Sequence, residues 1–129
     1  MPRPLLVDTD VWIDFLRGEP LAVALIRENE GRIILSSVVA AELYAGVAGE
    51  QELGVLDKLL SLFRVVPVSA DIARMGGLFK RDYTKSRGVG LADAMVAATA
   101  TVENADLSTL NVKHYPMIKQ LKPAYRKAR

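Results

Sequence analysis

Asp8, Glu42 and Asp93 are acids in places where acids are costly. Glu42 is the only charged residue between Arg32 and Glu50, within Ser37-Val-Val-Ala-Ala-Glu-Leu-Tyr-Ala-Gly46. Asp93 is the only one between Arg87 and Glu103, within Gly90-Leu-Ala-Asp-Ala-Met-Val-Ala-Ala-Thr-Ala100. Asp8 closes the apolar run Leu5-Leu6-Val7. A buried carboxylate without a partner either costs several kcal/mol or stays protonated. A helix N-terminus offsets only about 0.3–1 kcal/mol of this. Each acid also has a plainer reading. Asp8-Thr9-Asp10 could end a strand and cap a helix, Glu42 could pair with Arg32 or another base, and Asp93 could simply complement a helix dipole. Their joint placement in the fold distinguishes the two readings.

Periodicity supplies that placement. Leu5-Leu6-Val7 reads as a strand, and Val11, Trp12, Phe15 and Leu16 recur at helical spacing up to Gly18, with Trp12 in the core. Pro20 opens a helix to about Asn29, and Arg32-Ile33-Ile34-Leu35 is a second strand. Ser36 or Ser37 caps a helix from Val38 to about Val47. Another helix spans Gln51 to Phe63, with Leu53, Leu56, Leu59 and Leu60 as its buried stripe. Arg64 to Val68 is a third strand whose Pro67 suits an edge or an end. A helix from Ala70 to about Lys85 is weakened by Gly76-Gly77, and an apolar helix follows from Leu91 to Val102. Ala105 to Thr109 is a fourth strand, then come a turn from Asn111 to Pro116 and a basic tail with room for one more edge strand.

Strands alternating with helices predict a mostly parallel sheet of four to five strands, covered on both faces. Ligands of such sheets bind beyond the carboxyl ends of the strands. Asp8 ends strand one, Glu42 lies beyond strand two, Asp93 opens a crossover helix and Asn111 follows strand four. All four converge on that edge. Three gathered carboxylates repel one another unless a cation sits among them, and an all-oxygen set favours Mg²⁺ or Mn²⁺ over zinc. The chemistry implied is phosphoryl: two such ions about 3.5–4 Å apart activate water and stabilise a leaving oxygen. Asp10 and Asp14 read as capping or solvated acids, with Asp10 also placed to support the site, and His114 and Tyr115 read as a surface turn.

Composition excludes other classes. The 129 residues contain one His and no Cys, which removes disulfide scaffolds and thiolate metal sites. There is no phosphate loop, no complete dinucleotide fingerprint and no serine-hydrolase elbow. Asp8, Asp10 and Asp14 break the first apolar segment, so no signal peptide or membrane span is expected, and the cytoplasm is the expected location. The net charge of +2 is unevenly spread. All 15 acids and 11 bases lie in residues 1–106, while Lys113, Lys119, Lys122, Arg126, Lys127 and Arg129 follow with no acid. That basic end suits nucleic-acid phosphates, with Lys80, Arg81, Lys85 and Arg87 as a second patch. Without repeat or linker, residues 1–129 are expected to form one domain.

Four stretches, in order and across nearly the whole chain, resemble the PIN-domain ribonucleases, and among them the VapC-type toxins of toxin–antitoxin pairs. They are Leu5-Leu-Val-Asp-Thr-Asp-Val-Trp-Ile-Asp14, Ser36-Ser-Val-Val-Ala-Ala-Glu-Leu-Tyr-Ala-Gly46, Gly90-Leu-Ala-Asp-Ala-Met-Val-Ala-Ala-Thr-Ala100 and Leu107-Ser-Thr-Leu-Asn-Val-Lys-His-Tyr-Pro116. The resemblance implies an α/β/α sandwich, Mg²⁺- or Mn²⁺-dependent RNA cleavage, a homodimer, and a VapB-type antitoxin whose C-terminal segment fills a groove beside the acids. It maps the catalytic and metal site onto Asp8, Glu42, Asp93 and Asn111, with Thr109 beside them. Asp8 and Asp93 are then the principal metal ligands, Glu42 orients or deprotonates water, and Asn111 and Thr109 position water and the RNA phosphate. Many PIN nucleases carry Asp where this chain has Asn111, so one firmly held ion is expected in the free protein. The alternatives are a housekeeping or catalytically silent PIN-like RNA-binding module, or a receiver-type signalling domain, which lacks here a strong acidic pair before strand one.

Overall fold

The computed structural model describes residues 2–127. Its elements are β1 (Leu5–Val7), α1 (Thr9–Leu16), α2 (Pro20–Glu28), β2 (Ile33–Ser36), α3 (Ser37–Ala45), α4 (Gly49–Leu60), β3 (Arg64–Val66), α5 (Ala70–Arg87), α6 (Leu91–Val102) and β4 (Asp106–Ser108), with short 3₁₀ turns at Glu30–Arg32 and Val112–His114. The four strands form one parallel sheet in the order β3-β2-β1-β4. Leu6 lies opposite Ile34 on one side and Leu107 on the other, and Leu35 opposite Val65. Every residue of β1 and β2 is buried, as expected for central strands with helices on both faces. Between β1 and β4 the strand order reverses direction, which opens a crevice at their carboxyl ends.

Capping sets where the helices begin. Asp8 caps α1, Ser36 caps α3 through Val38 N, and Ser69 caps α5 through Ile72 N. The glycine pair does not interrupt α5, which continues to Arg87 before Gly88 ends it in the left-handed region at φ 65°. Gly76 is buried against α6, and a Cβ there would stand 2.5 Å from the Met95 sulfur, so the missing side chain is what lets the two helices pack closely. Helix α4 starts two residues earlier than its periodicity suggests, and only Leu56 and Leu60 of its stripe are buried; Leu53 is exposed. Trp12 is fully buried against Phe15 and Phe63, and its indole N–H finds no acceptor. That costs about 1–3 kcal/mol, which the ring's large apolar burial offsets.

No fifth strand forms among the described residues. Pro116 and Pro123 remove two backbone donors from the tail, and a single ladder-like bond survives, Ala124 N to Thr109 O at 2.8 Å. The tail instead packs Met117, Ile118, Leu121 and Tyr125 on the core. Its anchor is Asp14, which is buried rather than solvated. Asp14 accepts from the Tyr125 hydroxyl at 2.6 Å and from Lys127 Nζ. Burial pushes the Asp14 carboxyl up, but the bonds from Lys127 and Tyr125 outweigh it and leave the pKa below 3.8. The stability this group contributes is therefore complete above the unfolded value of 3.8 and is lost as pH falls through the lower folded value. Asp14→Asn is expected to melt below the parent at pH 7, with the gap closing under acid, as thermal unfolding across pH would show.

Candidate active site

The crevice at the carboxyl ends of β1 and β4 is organised around Asp8. The residue is only 6% exposed, and its carboxylate accepts three hydrogen bonds. Thr9 N donates to Oδ1 at 2.9 Å; the Thr109 hydroxyl donates to Oδ2 at 2.9 Å and the Tyr115 hydroxyl at 2.7 Å. Each donor also leads to another acid. The Tyr115 oxygen lies 3.3 Å from Asp93 Oδ1, Thr109 Oγ1 lies 3.4 Å from Asp10 Oδ2, and Thr9 Oγ1 donates to Glu42 Oε1 at 2.8 Å. Three carboxylates thus surround one buried hub, Asp93 and Asp10 across a single hydroxyl each and Glu42 across the backbone N–H and hydroxyl of Thr9.

The electrostatics are those of excess negative charge. Desolvation first, and the Asp8 charge second, push the Asp93 carboxyl up, while His114 and Tyr115 pull it down less strongly. The same two causes raise Asp10 against the bonds it accepts from Leu110, Val11 and Thr109. His114 Nδ1 stands 3.2 Å from Asp93 Oδ2. Burial and the adjoining carboxylates push the Tyr115 phenol far up, so it stays a neutral donor. Its one proton goes to Asp8 by the shorter contact.

Asp8 and Asp93 therefore come together as the sequence suggests. Glu42 joins them through Thr9, but it is exposed in the second turn of α3 and not buried; Arg32 pairs with Asp106 at 3.0 Å instead. Thr109 is fully buried with its hydroxyl hydrogen given to Asp8, so it orients that acid and does not face a phosphate. Asn111 N donates to Thr109 Oγ1, and its side-chain amide donates to Asp10 at 3.0 Å. Two residues carry more than their sequence positions indicate. Tyr115 is 1% exposed and enters the site, where a surface turn was expected. Asp10 does cap, bonding Val11 N, but its other oxygen is committed to the loop after β4. The signals available were an aromatic in an otherwise polar turn and a second acid two residues from the first.

The donor set suits a hard divalent cation. Asp8 and Asp93 are held one hydroxyl apart, with mutual repulsion that a cation would relieve, and every side chain around them offers oxygen except His114. Among the described residues no three His, Asp or Glu side chains close to metal-holding distance. A cation held by Asp8 and Asp93 would therefore need water or phosphate to complete its shell.

Helices α1, α3 and α4 frame a groove of about 790 Å³ that Glu42 helps to line, with Ile13, Leu16, Leu43, Val47 and Val55 on its walls. Ile13, Leu16 and Val55 are exposed there. No helix of the described residues is long and apolar enough to cross a membrane. Four basic residues of the tail, Lys113, Lys119, Lys122 and Arg126, are exposed, whereas Lys127 is held by Asp14. Arg129 lies outside the described residues.

A parallel sheet with acids at the switch point of its central strands is the arrangement expected of a PIN domain, and the model of that family matches residues 5–115. Ribonuclease VapC19 of Mycobacterium tuberculosis is 45% identical over 124 residues, 93% of this chain and 98% of that one. Ribonuclease VapC10 of the same organism is 41% identical over 124 residues, 94% and 92% of the two chains. The chain belongs to the PIN-domain family, among the VapC ribonucleases. The fold is shared with a toxin–antitoxin complex from Klebsiella pneumoniae, at a TM-score of 0.81 and 24% identity over 95% of this chain and 99% of that one. VapBC2 from Rickettsia felis, bound to a DNA fragment from its promoter, aligns at 0.75 and 26% identity over 91% and 94%. The receiver-type alternative is set aside by these matches.

Proposed function

We propose that residues 1–129 form one PIN domain acting in the cytoplasm as an Mg²⁺- or Mn²⁺-dependent endoribonuclease, the toxin of a pair whose VapB-type antitoxin neutralises it. The observation that carries the reading is the meeting of Asp8 and Asp93 around the Tyr115 hydroxyl at the switch point of the sheet. Relatives named VapC ribonucleases, aligned over nearly the whole chain, support the activity, and neighbours solved as toxin–antitoxin complexes support the partner.

Asp8 and Asp93 would hold the cation directly, with Glu42 and Asn111 reaching it through water. When bound, the cation supplies Lewis-acid stabilisation of the phosphate charge and lowers the pKa of water. Glu42 Oε1 is fixed by Thr9, which leaves Oε2 to orient a water and accept its proton as the water oxygen bonds to phosphorus; the P–O bond to the ribose breaks and the departing oxygen takes a proton from solvent water. Asn111 is exposed at the mouth and can donate to or accept from a phosphate-bound water. Lys113, Lys119, Lys122 and Arg126 would bind the flanking RNA backbone. The largely apolar groove that Glu42 helps to line would receive the antitoxin, and a homodimer would complete the assembly.

Calorimetric titration of the free protein with Mn²⁺ is expected to show one site per chain; two tight sites without RNA would contradict the ligand set. Expression in a bacterial host is expected to arrest growth, with rescue by the product of an adjacent antitoxin gene. Tight RNA binding with no cleavage in either metal would favour a silent binding module.

A further inference from the structure

Asp10 links the two loops that build the site. Its Oδ1 accepts from Val11 N at 2.8 Å at the start of α1. Its Oδ2 accepts from Leu110 N at 2.9 Å and from Asn111 Nδ2 at 3.0 Å, and lies 3.4 Å from Thr109 Oγ1. One carboxylate thus gathers three consecutive residues after β4 onto the turn that carries Asp8. The chemistry fixes the direction of the contact with Asn111. An ionised carboxylate has no hydrogen to give, so the amide must present its NH₂ to Asp10, and its Oδ1 is turned the other way. Asn111 N also donates to Thr109 Oγ1, which in turn donates to Asp8. The orientation of Asp8 and that of the Asn111 amide therefore share one scaffold. An acid at position 111 would bring two carboxylates into contact at this distance, so an Asp at 10 requires a donor at 111.

We infer that Asp10 is a positioning residue of the site and that Asp10 and Asn111 act as one unit, the charge residing on 10 and the neutral amide on 111 so that its oxygen is held ready for water or phosphate. The catalytic consequence rests on the ribonuclease reading above; the pairing itself does not. Loss of a partner that orients a liganding group typically costs 10–100-fold in activity or metal affinity.

The test is a double-mutant cycle with Asp10→Asn, Asn111→Asp and the exchange of both, all near-isosteric. Two measurements are made: melting temperature in EDTA, and kcat and KM for a labelled RNA with saturating Mn²⁺, well below the melting transitions. Each single change is expected to lower the metal-free melting temperature and to reduce kcat by about 10–100-fold, with KM for RNA within about twofold of the parent. The exchange rebuilds an Asp–Asn contact with the donor reversed, and it is expected to recover at least about tenfold of kcat relative to Asp10→Asn. Losses in the exchanged protein equal to the two single losses combined would overturn the pairing. A lowered melting temperature with parental kcat would overturn the positioning role and leave Asp10 a fold residue only. If the parent itself cleaves no RNA, the ribonuclease reading fails, and the melting-temperature cycle in EDTA still decides the pairing.

Discussion

Asp93→Asn is expected to fold, to melt in EDTA at or above the parental temperature, and to cleave RNA about 10²–10³-fold more slowly at saturating Mg²⁺. The two halves of this result come from the same interaction. Asp93 sits in the first turn of α6, partly desolvated and close to Asp8, and both effects disfavour its charge in the folded state. An acid whose folded pKa is raised subtracts stability at neutral pH, so neutral Asn relieves repulsion, its oxygen taking the His114 contact and its NH₂ facing the Tyr115 oxygen. The same charge is what a cation needs. A purely structural Asp93 would behave in the opposite way, losing stability on substitution and keeping the rate. Melting in EDTA, together with initial rates on a labelled RNA, separates the two.

Tyr115→Phe is expected to destabilise the metal-free protein by about 1.5–3 kcal/mol, the range for a hydrogen bond to a charged acceptor. Asp8 Oδ2 is buried and loses its 2.7 Å donor, keeping only Thr109. For a chain of this size the melting temperature should fall by roughly 5–15 °C. The ring still fills its place, so cavity formation adds little. Mn²⁺ should narrow the gap to the parent, because the cation compensates the same oxygen by another route. A Phe variant that melts with the parent in EDTA would show that the Tyr115 hydroxyl is incidental to the site.

The acids were legible in the sequence to different degrees, for physical reasons. Asp8 and Asp93 stand out because a lone charge at the end of an apolar strand or the start of an apolar helix has few structural uses. The same signal misplaces Glu42. Helix α3 is apolar on more than one side, since Val39 and Leu43 face the core while Tyr44 is exposed, so a charge in apolar company is not a buried charge there. The parallel sheet followed from alternating strands and helices, but the extra edge strand did not form because Pro116 and Pro123 interrupt its ladder. Tyr115 and Asp14 were unreadable for another reason. Their partners lie 107, 111 and 113 positions away, so no local spacing encodes them. The charge asymmetry likewise had two meanings, for Lys127 anchors the tail to Asp14 while Lys113, Lys119, Lys122 and Arg126 remain exposed.

The central claim is that Asp8 and Asp93 are arranged to use a divalent cation for RNA cleavage. The most direct measurement is the initial rate of cleavage of a labelled RNA by the purified chain, stripped with EDTA and titrated with Mg²⁺. No cleavage in EDTA, and a rate that rises with Mg²⁺ and saturates, is the predicted result. Cleavage in EDTA equal to that in saturating Mg²⁺ would contradict it.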